Sequence, residues 1–163
     1  AQLRKLDRIR AHLRRNRDRV WDLLAGLPGI GFRELTDRDG DLATHLVIVF
    51  PDAASAAAVT EKLGSITLDH TAWHVYSQME HLLARRTVTG RGCPFDCECH
   101  ESTIRYEVGM LRATDALLAR SMSFAIGVVD PNLAPYGLRM RDTADVAERR
   151  AQRFIDVYRE VLT

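Results

Sequence analysis

Lysine is scarce in this 163-residue sequence, and the hallmarks of membrane and secreted proteins are missing. Only two of its 23 lysine and arginine residues are lysines, so Lys5 and Lys62 are the only side chains able to form a Schiff base. No apolar run approaches the roughly 20 residues that cross a bilayer, and the arginine-rich start lacks the apolar segment of a signal peptide. We therefore predict a soluble, cytoplasmic protein with no membrane partner.

Cysteine is also rare, and its three copies, Cys93, Cys97 and Cys99, stand close together in the sequence. An odd count at such tight spacing does not suggest a secreted disulfide framework, so we expect reduced thiols. With His100 they could complete a tetrahedral zinc shell, which makes these four residues weak metal candidates. Structural zinc sites usually draw their ligands from two separated pairs, and this run does not, so the spacing favours a packed loop with incidental thiols.

A formal net charge of +1 gives the chain as a whole no attraction for polyanions, although its first twenty residues are strongly basic. Apolar residues recur there at three- and four-residue steps, so one stripe of this basic helix must be buried. Its charged face carries no aromatic residue for base stacking. We expect a solvated face or one that meets an acidic partner, and we do not expect a nucleic-acid partner.

The first half of the chain predicts a helix, a hairpin and a second helix. Residues 2–25 show helical periodicity up to a segment rich in glycine and proline. Residues 30–35 and 44–50 read as two strands joined by a polar turn, which predicts an antiparallel hairpin. Residues 52–63 form an alanine-rich helix with Asp52 as its N-cap and Gly64 at its end.

The second half is less regular. We predict an extended segment at 73–76, a short helix at 78–86 and a long ordered loop at 87–109, of the kind that is often functional. One or two helical turns at 114–120 precede a strand at 121–129 whose continuous apolar character indicates burial on both faces. A closing helix spans 146–162. The whole sequence, 1–163, predicts a single α/β (α+β) domain: a small, mostly antiparallel sheet packed against helices, with long N-terminal and C-terminal helices.

Five stretches carry a resemblance to a known family: "AQLRKLDRIRAHLRRNRDRV", "HLVIVF", "DAASAAAVTEKLGSI", "TAWHVY" and "GMLRATDALLARSMSFAIGVVDP". In this order they resemble the C-terminal small domain of DegT/StrS-type aminotransferases, fold-type-I pyridoxal-phosphate enzymes that aminate keto sugars. The similarity runs nearly end to end, but Arg112 and Ala113 stand before Thr114 where the family carries a proline.

The resemblance implies that the cofactor chemistry belongs to a separate large domain. Pyridoxal phosphate needs a lysine, a carboxylate for its pyridine nitrogen and a phosphate cup, and none is recognisable here, so we expect no cofactor in this chain alone. The implied partners are a large pyridoxal-phosphate-binding domain or subunit, or a second copy of this chain, with a keto sugar or sugar nucleotide as ligand. By position in the family, His74, Tyr76, His81 and Arg120 are the substrate-facing candidates, and no residue is assigned a catalytic role.

Two alternatives stay open at this point. The chain could be a stand-alone, cofactor-free binding or regulatory module of a biosynthetic pathway. It could also be a repurposed small enzyme that uses His74, His81 or the cysteine cluster for other chemistry.

Overall fold

Two long helices flank a four-stranded sheet in the computed structural model, which describes residues 3–90, 93–95 and 105–162. The helices of this described part are α1 (Leu6–Leu24), α2 (Ala53–Leu63), α3 (Glu80–Leu83), α4 (Arg112–Ala119) and α5 (Ala144–Leu162). Its strands are β1 (Gly31–Phe32), β2 (His45–Val49), β3 (Ser121–Gly127) and β4 (Gly137–Arg139). Short 3-10 turns lie at Leu3–Lys5, Leu68–His70, Ala72–His74 and Tyr76–Gln78. No described helix combines the length and the apolar composition that a membrane span requires.

The sheet has the order β1-β2-β3-β4, with two antiparallel pairings and one parallel pairing between β3 and β4. The predicted fold class and the hairpin are confirmed, although β1 is only two residues long. Sequence analysis missed β4. Its first residue, Gly137, has φ of 143°, and a Cβ there would lie 2.3 Å from the carbonyl oxygen of Ala125, so this close approach of two backbones requires glycine.

The main core lies between one face of the sheet and the helices α1, α2 and α5. Leu46 and Ile48 alternate along β2 toward this face, and they pair across the sheet with Phe124 and Met122. Every residue of β3 is buried, which confirms a strand covered on both sides at 121–127. The predicted strand was two residues too long, because Val128 and Val129 are exposed. The second face of β3 lies on the side of α4 and the 3-10 turn at Leu68–His70.

The boundaries of α2 follow from the capping residues that the sequence displays. The Asp52 side chain accepts a hydrogen bond from the Ser55 backbone N–H at 2.7 Å, and Gly64 ends α2 in the left-handed conformation. The buried residues of α1 recur at helical spacing, as predicted. At the C-terminal end of α5, the Tyr158 hydroxyl donates to the Pro28 carbonyl at 2.6 Å and fixes the segment that follows α1.

The segment 73–76 is not extended, and this prediction was wrong. It consists of successive 3-10 turns that satisfy their own backbone groups locally, as in the hydrogen bond from Val75 N–H to the Ala72 carbonyl. An extended segment would need a free sheet edge, but the edge of β3 opposite β2 is occupied by β4 and by a bridge from Thr67 to Met122. The helix predicted at 78–86 is also shorter than expected, spanning only Glu80–Leu83.

Candidate functional site around Tyr76

The Tyr76 hydroxyl joins two parts of the chain that are distant in sequence. It donates to the Asp115 carboxylate on α4 at 2.8 Å and accepts the backbone N–H groups of Gly109 and Leu111, both at 3.2 Å. We call these four residues the Tyr76 clasp. A phenol has one donor hydrogen and two acceptor positions, so all three are used within the protein. Tyr76 therefore holds the end of the 105–111 segment against α4, and its hydroxyl has no free hydrogen-bonding position for a ligand.

Large apolar side chains are exposed on the same two segments that the clasp joins. Trp73, three residues before Tyr76, is 66% exposed. Met110 and Leu111 are exposed at the end of the 105–111 segment, and Leu117 is exposed on α4. Exposed apolar residues concentrated near one another, next to polar groups, are typical of surfaces that meet a ligand or another protein. The clasp therefore organises a mixed apolar and polar surface.

His74 is on this surface. Its ring stacks on Trp73 with the centroids 4.1 Å apart and the planes inclined by 27°. The imidazole is exposed, so its ring nitrogens are accessible for hydrogen bonding. His74 thus offers a polar group at this surface for a hydroxyl-rich or anionic ligand.

His81 and Arg120 lie in different surroundings. The His81 side chain is exposed on α3 and contacts no described residue through a hydrogen bond or an ion pair. The Arg120 side chain is partly buried, and its guanidinium donates to the carbonyl of Phe50 at 3.1 Å, where β2 ends. That contact ties the end of β2 to the start of β3. Of the four candidates, Tyr76 and His74 lie in adjacent turns, and no described hydrogen bond or ion pair connects them with His81 or Arg120.

The two lysines occupy positions that do not suit a cofactor lysine. Lys5 is exposed in the 3-10 turn before α1, and Lys62 is exposed at the end of α2, where its ammonium pairs with Glu160 at 2.8 Å. An internal aldimine requires a lysine inside a pocket with a phosphate-binding loop. Neither lysine fits that requirement, so no step through pyridoxal phosphate is derived for this chain.

The cysteine segment differs from expectation at its first residue. Cys93 is disulfide-bonded, so the prediction of a reduced thiol was wrong there, and its sulfur is not a free thiolate ligand in this structure. An odd cysteine count and tight spacing argue only against a secreted framework of several disulfides, so they do not exclude a disulfide at Cys93. The described part of the segment is packed, since Phe95 meets the Tyr106 ring edge-on with centroids 5.8 Å apart. Cys97, Cys99 and His100 lie outside the described residues.

Sequence reasoning missed His45, which begins β2. Its Nδ1 lies 3.1 Å from the Thr44 hydroxyl oxygen, while its Nε2 is buried and makes no hydrogen bond with the described part of the chain. Burial lowers the pKa of His45, the Arg33 guanidinium lowers it further, and the Asp130 carboxylate acts in the opposite direction. The alternation of side chains along a strand was the available signal, because His45 lies on the face of β2 opposite the core-facing Leu46.

Comparison with models of known protein families gives no match for this sequence.

Proposed function

We propose that this chain serves as the small domain of a sugar-aminotransferase-like protein, where it shapes a substrate cleft and a partner interface and does not transaminate alone. One observation carries the proposal. Two of the stretches on which the family resemblance rests, "TAWHVY" and "GMLRATDALLARSMSFAIGVVDP", meet at the Tyr76 clasp, and both present exposed apolar side chains beside it. A surface of that composition suits contact with a second domain.

The partner must supply the lysine that this chain lacks in a suitable position. Pyridoxal phosphate, once bound to a lysine, supplies the electron sink of amine transfer. The contribution of this chain is then to close the cleft over a keto sugar or sugar nucleotide, with His74 as the exposed polar group nearest the apolar residues. Self-association through the same surface is the second form that the interface can take.

The test is reconstitution with a lysine-bearing large domain of a DegT/StrS-type enzyme encoded near this gene. We expect the isolated chain to give no aldimine absorbance with pyridoxal phosphate. The mixture should form a complex in analytical ultracentrifugation and aminate a keto-sugar nucleotide. Trp73→Ala should weaken the complex by about tenfold or more, because exposed tryptophans are frequent anchors of interfaces.

Leu42→Ala provides the matched control, since Leu42 is also a large exposed apolar residue but lies between β1 and β2. It should leave the affinity unchanged. Equal affinities for the two variants would refute the placement of the interface. A borohydride-trapped adduct on Lys5 or Lys62 with turnover by the isolated chain would refute the proposal as a whole.

A further inference from the structure

Two open grooves run side by side along α1, where this helix faces the loop before α5. The first, of about 490 Å³, is lined by Arg8, Ile9, His12, Arg15, Met140 and Arg141. The second, of about 540 Å³, is lined by His12, Arg15, Asn16, Arg19, Thr143 and Ala144. Because His12 and Arg15 line both, the grooves form one continuous surface, which we call the α1 groove.

The α1 groove is lined by cations and by no carboxylate side chain. Arg8, His12, Arg15 and Arg19 recur at steps of four, three and four residues, which places them on one face of the helix. Arg19 pairs with Glu148. Arg8, Arg15 and Arg141 are exposed and make no hydrogen bond or ion pair with any described residue.

Other arginines of α1 have a structural role, which sets this face apart. Arg14 donates to the backbone carbonyl of Asp41 at 2.9 and 3.0 Å, and the buried Arg17 pairs with the carboxylate of Asp41 at 2.8 Å. These contacts attach the turn between β1 and β2 to the helix. The helix thus uses these arginines inside the fold, whereas Arg8 and Arg15 of the α1 groove have no hydrogen-bonding or ionic partner among the described residues.

The opposite wall of the α1 groove is held in place by a buried side chain. Asn16 is only 4% exposed, and its amide donates to the Asp142 carbonyl at 3.1 Å and lies 3.3 Å from Nε2 of His12. Asp142 in turn accepts the Arg139 backbone N–H at 2.7 Å. The loop that carries Arg141 is therefore fixed relative to the helix, and the two walls form a preorganised surface.

We propose that the α1 groove binds an acidic peptide segment of a partner protein, independently of the proposed function at the Tyr76 surface. Guanidinium groups bind carboxylates with two parallel hydrogen bonds. Arg8 and Arg19 are eleven positions apart, which is about 16 Å along a helix axis. Alternate side chains of an extended peptide are about 6.6 Å apart. An extended seven-residue segment, whose four alternate positions span about 20 Å, therefore covers the groove with its acidic side chains on one face.

The lining favours a peptide over a nucleic acid. Ile9 and Met140 place apolar surface among the cations, and Met140 is 39% exposed. No aromatic side chain lines either part of the groove, so bases have nothing on which to stack. Alternate side chains of an extended peptide face the same side, so an acidic peptide with one apolar residue among its groove-facing positions contacts both kinds of lining.

The test uses a fluorescent seven-residue peptide, titrated into the full chain at low salt. It has glutamate at positions 1, 3 and 7, leucine at position 5 and serine between them, so that all four of these side chains face the groove when the peptide is extended. The triple variant Arg8→Gln, Arg15→Gln, Arg141→Gln should bind at least about tenfold more weakly, because it removes the unpaired cations of the groove. The control variant Arg86→Gln, Arg112→Gln, Arg149→Gln removes the same charge from other exposed positions and should bind like the parent chain. Equal circular dichroism and melting temperatures would show that both variants fold.

Further probes separate this ligand from other anions. The same peptide with glutamine for glutamate should not bind, and Met140→Ala should weaken the leucine-containing peptide by about threefold, as expected for loss of a few buried methylene groups. Equal binding to the two triple variants would overturn the proposal. So would tighter binding of oligothymidylate of equal charge, or competition by millimolar inorganic phosphate.

Discussion

Replacing Tyr76 by phenylalanine tests whether the Tyr76 clasp holds the 105–111 segment. The change removes a hydrogen bond to a carboxylate and two hydrogen bonds from backbone N–H groups, while the ring is kept. A hydrogen bond to a charged group contributes about 1.5–3 kcal/mol, but the side chain is only partly buried and water can reach the groups left behind. We therefore expect the free energy of unfolding to fall by about 1–2 kcal/mol. For a domain of this size the melting temperature should drop by about 2–4 °C per kcal/mol.

Amide hydrogen exchange measures the clasp more directly than global stability does. The N–H groups of Gly109 and Leu111 lose their acceptor in Tyr76→Phe, so their exchange should accelerate by about tenfold if local opening becomes about 1.4 kcal/mol easier. Tyr106→Phe is the matched control, because the Tyr106 hydroxyl makes no hydrogen bond with the described residues. Identical exchange at the two amides in both variants would refute the clasp.

Three further predictions concern the framework. Gly137→Ala should lower the free energy of unfolding by about 3 kcal/mol or more, because the new Cβ would collide with the β3 backbone. Gly64→Ala places its Cβ in open space and should lower it by only about 1 kcal/mol, through backbone strain. Urea titration of the two variants measures the difference. Because the pKa of His45 is lowered in the folded state, the unfolded chain takes up the proton first, and stability should fall as the pH drops below about 6.5. Melting curves between pH 7.5 and pH 5 should show less of this dependence in His45→Asn than in the parent chain, and an equal dependence in the two would contradict this role. Asp52→Ala should lower the melting temperature, because it removes the N-cap of α2. Asp52→Asn should retain most of the stability of the parent chain, because asparagine is also an N-cap residue. A larger drop in melting temperature for the asparagine variant than for the alanine variant would contradict this role.

Local signals in the sequence were sufficient for the two long helices, for α2 and for the central strand. Asp52 and Gly64 marked the two ends of α2, because an N-cap acceptor and a left-handed glycine act within their own helix. The continuous apolar run of β3 predicted burial on both faces for the same reason. Such features depend on neighbouring residues and can therefore be predicted without knowledge of the tertiary structure.

Features that depend on distant partners could not be predicted in this way. The three residues of β4 are a strand only because Gly137 can approach Ala125 across a parallel pairing. Tyr76 was selected through the family resemblance, but its partner Asp115 lies 39 residues away and no spacing rule connects the two. The segment containing Trp73 shows a strand-like composition and folds into turns, because the adjoining sheet edge is already occupied.

The contacts between α1 and α5 also determine when the chain can fold. Asn16 finds its partner 126 residues later in the sequence, and the Tyr158 hydroxyl reaches back 130 residues to Pro28. During synthesis on the ribosome, the apolar stripe of the first helix therefore has no α5 to cover it until nearly all of these residues have been translated. We expect that nascent chains lacking α5 bind chaperones through this stripe, and that α5 completes the core once it has emerged.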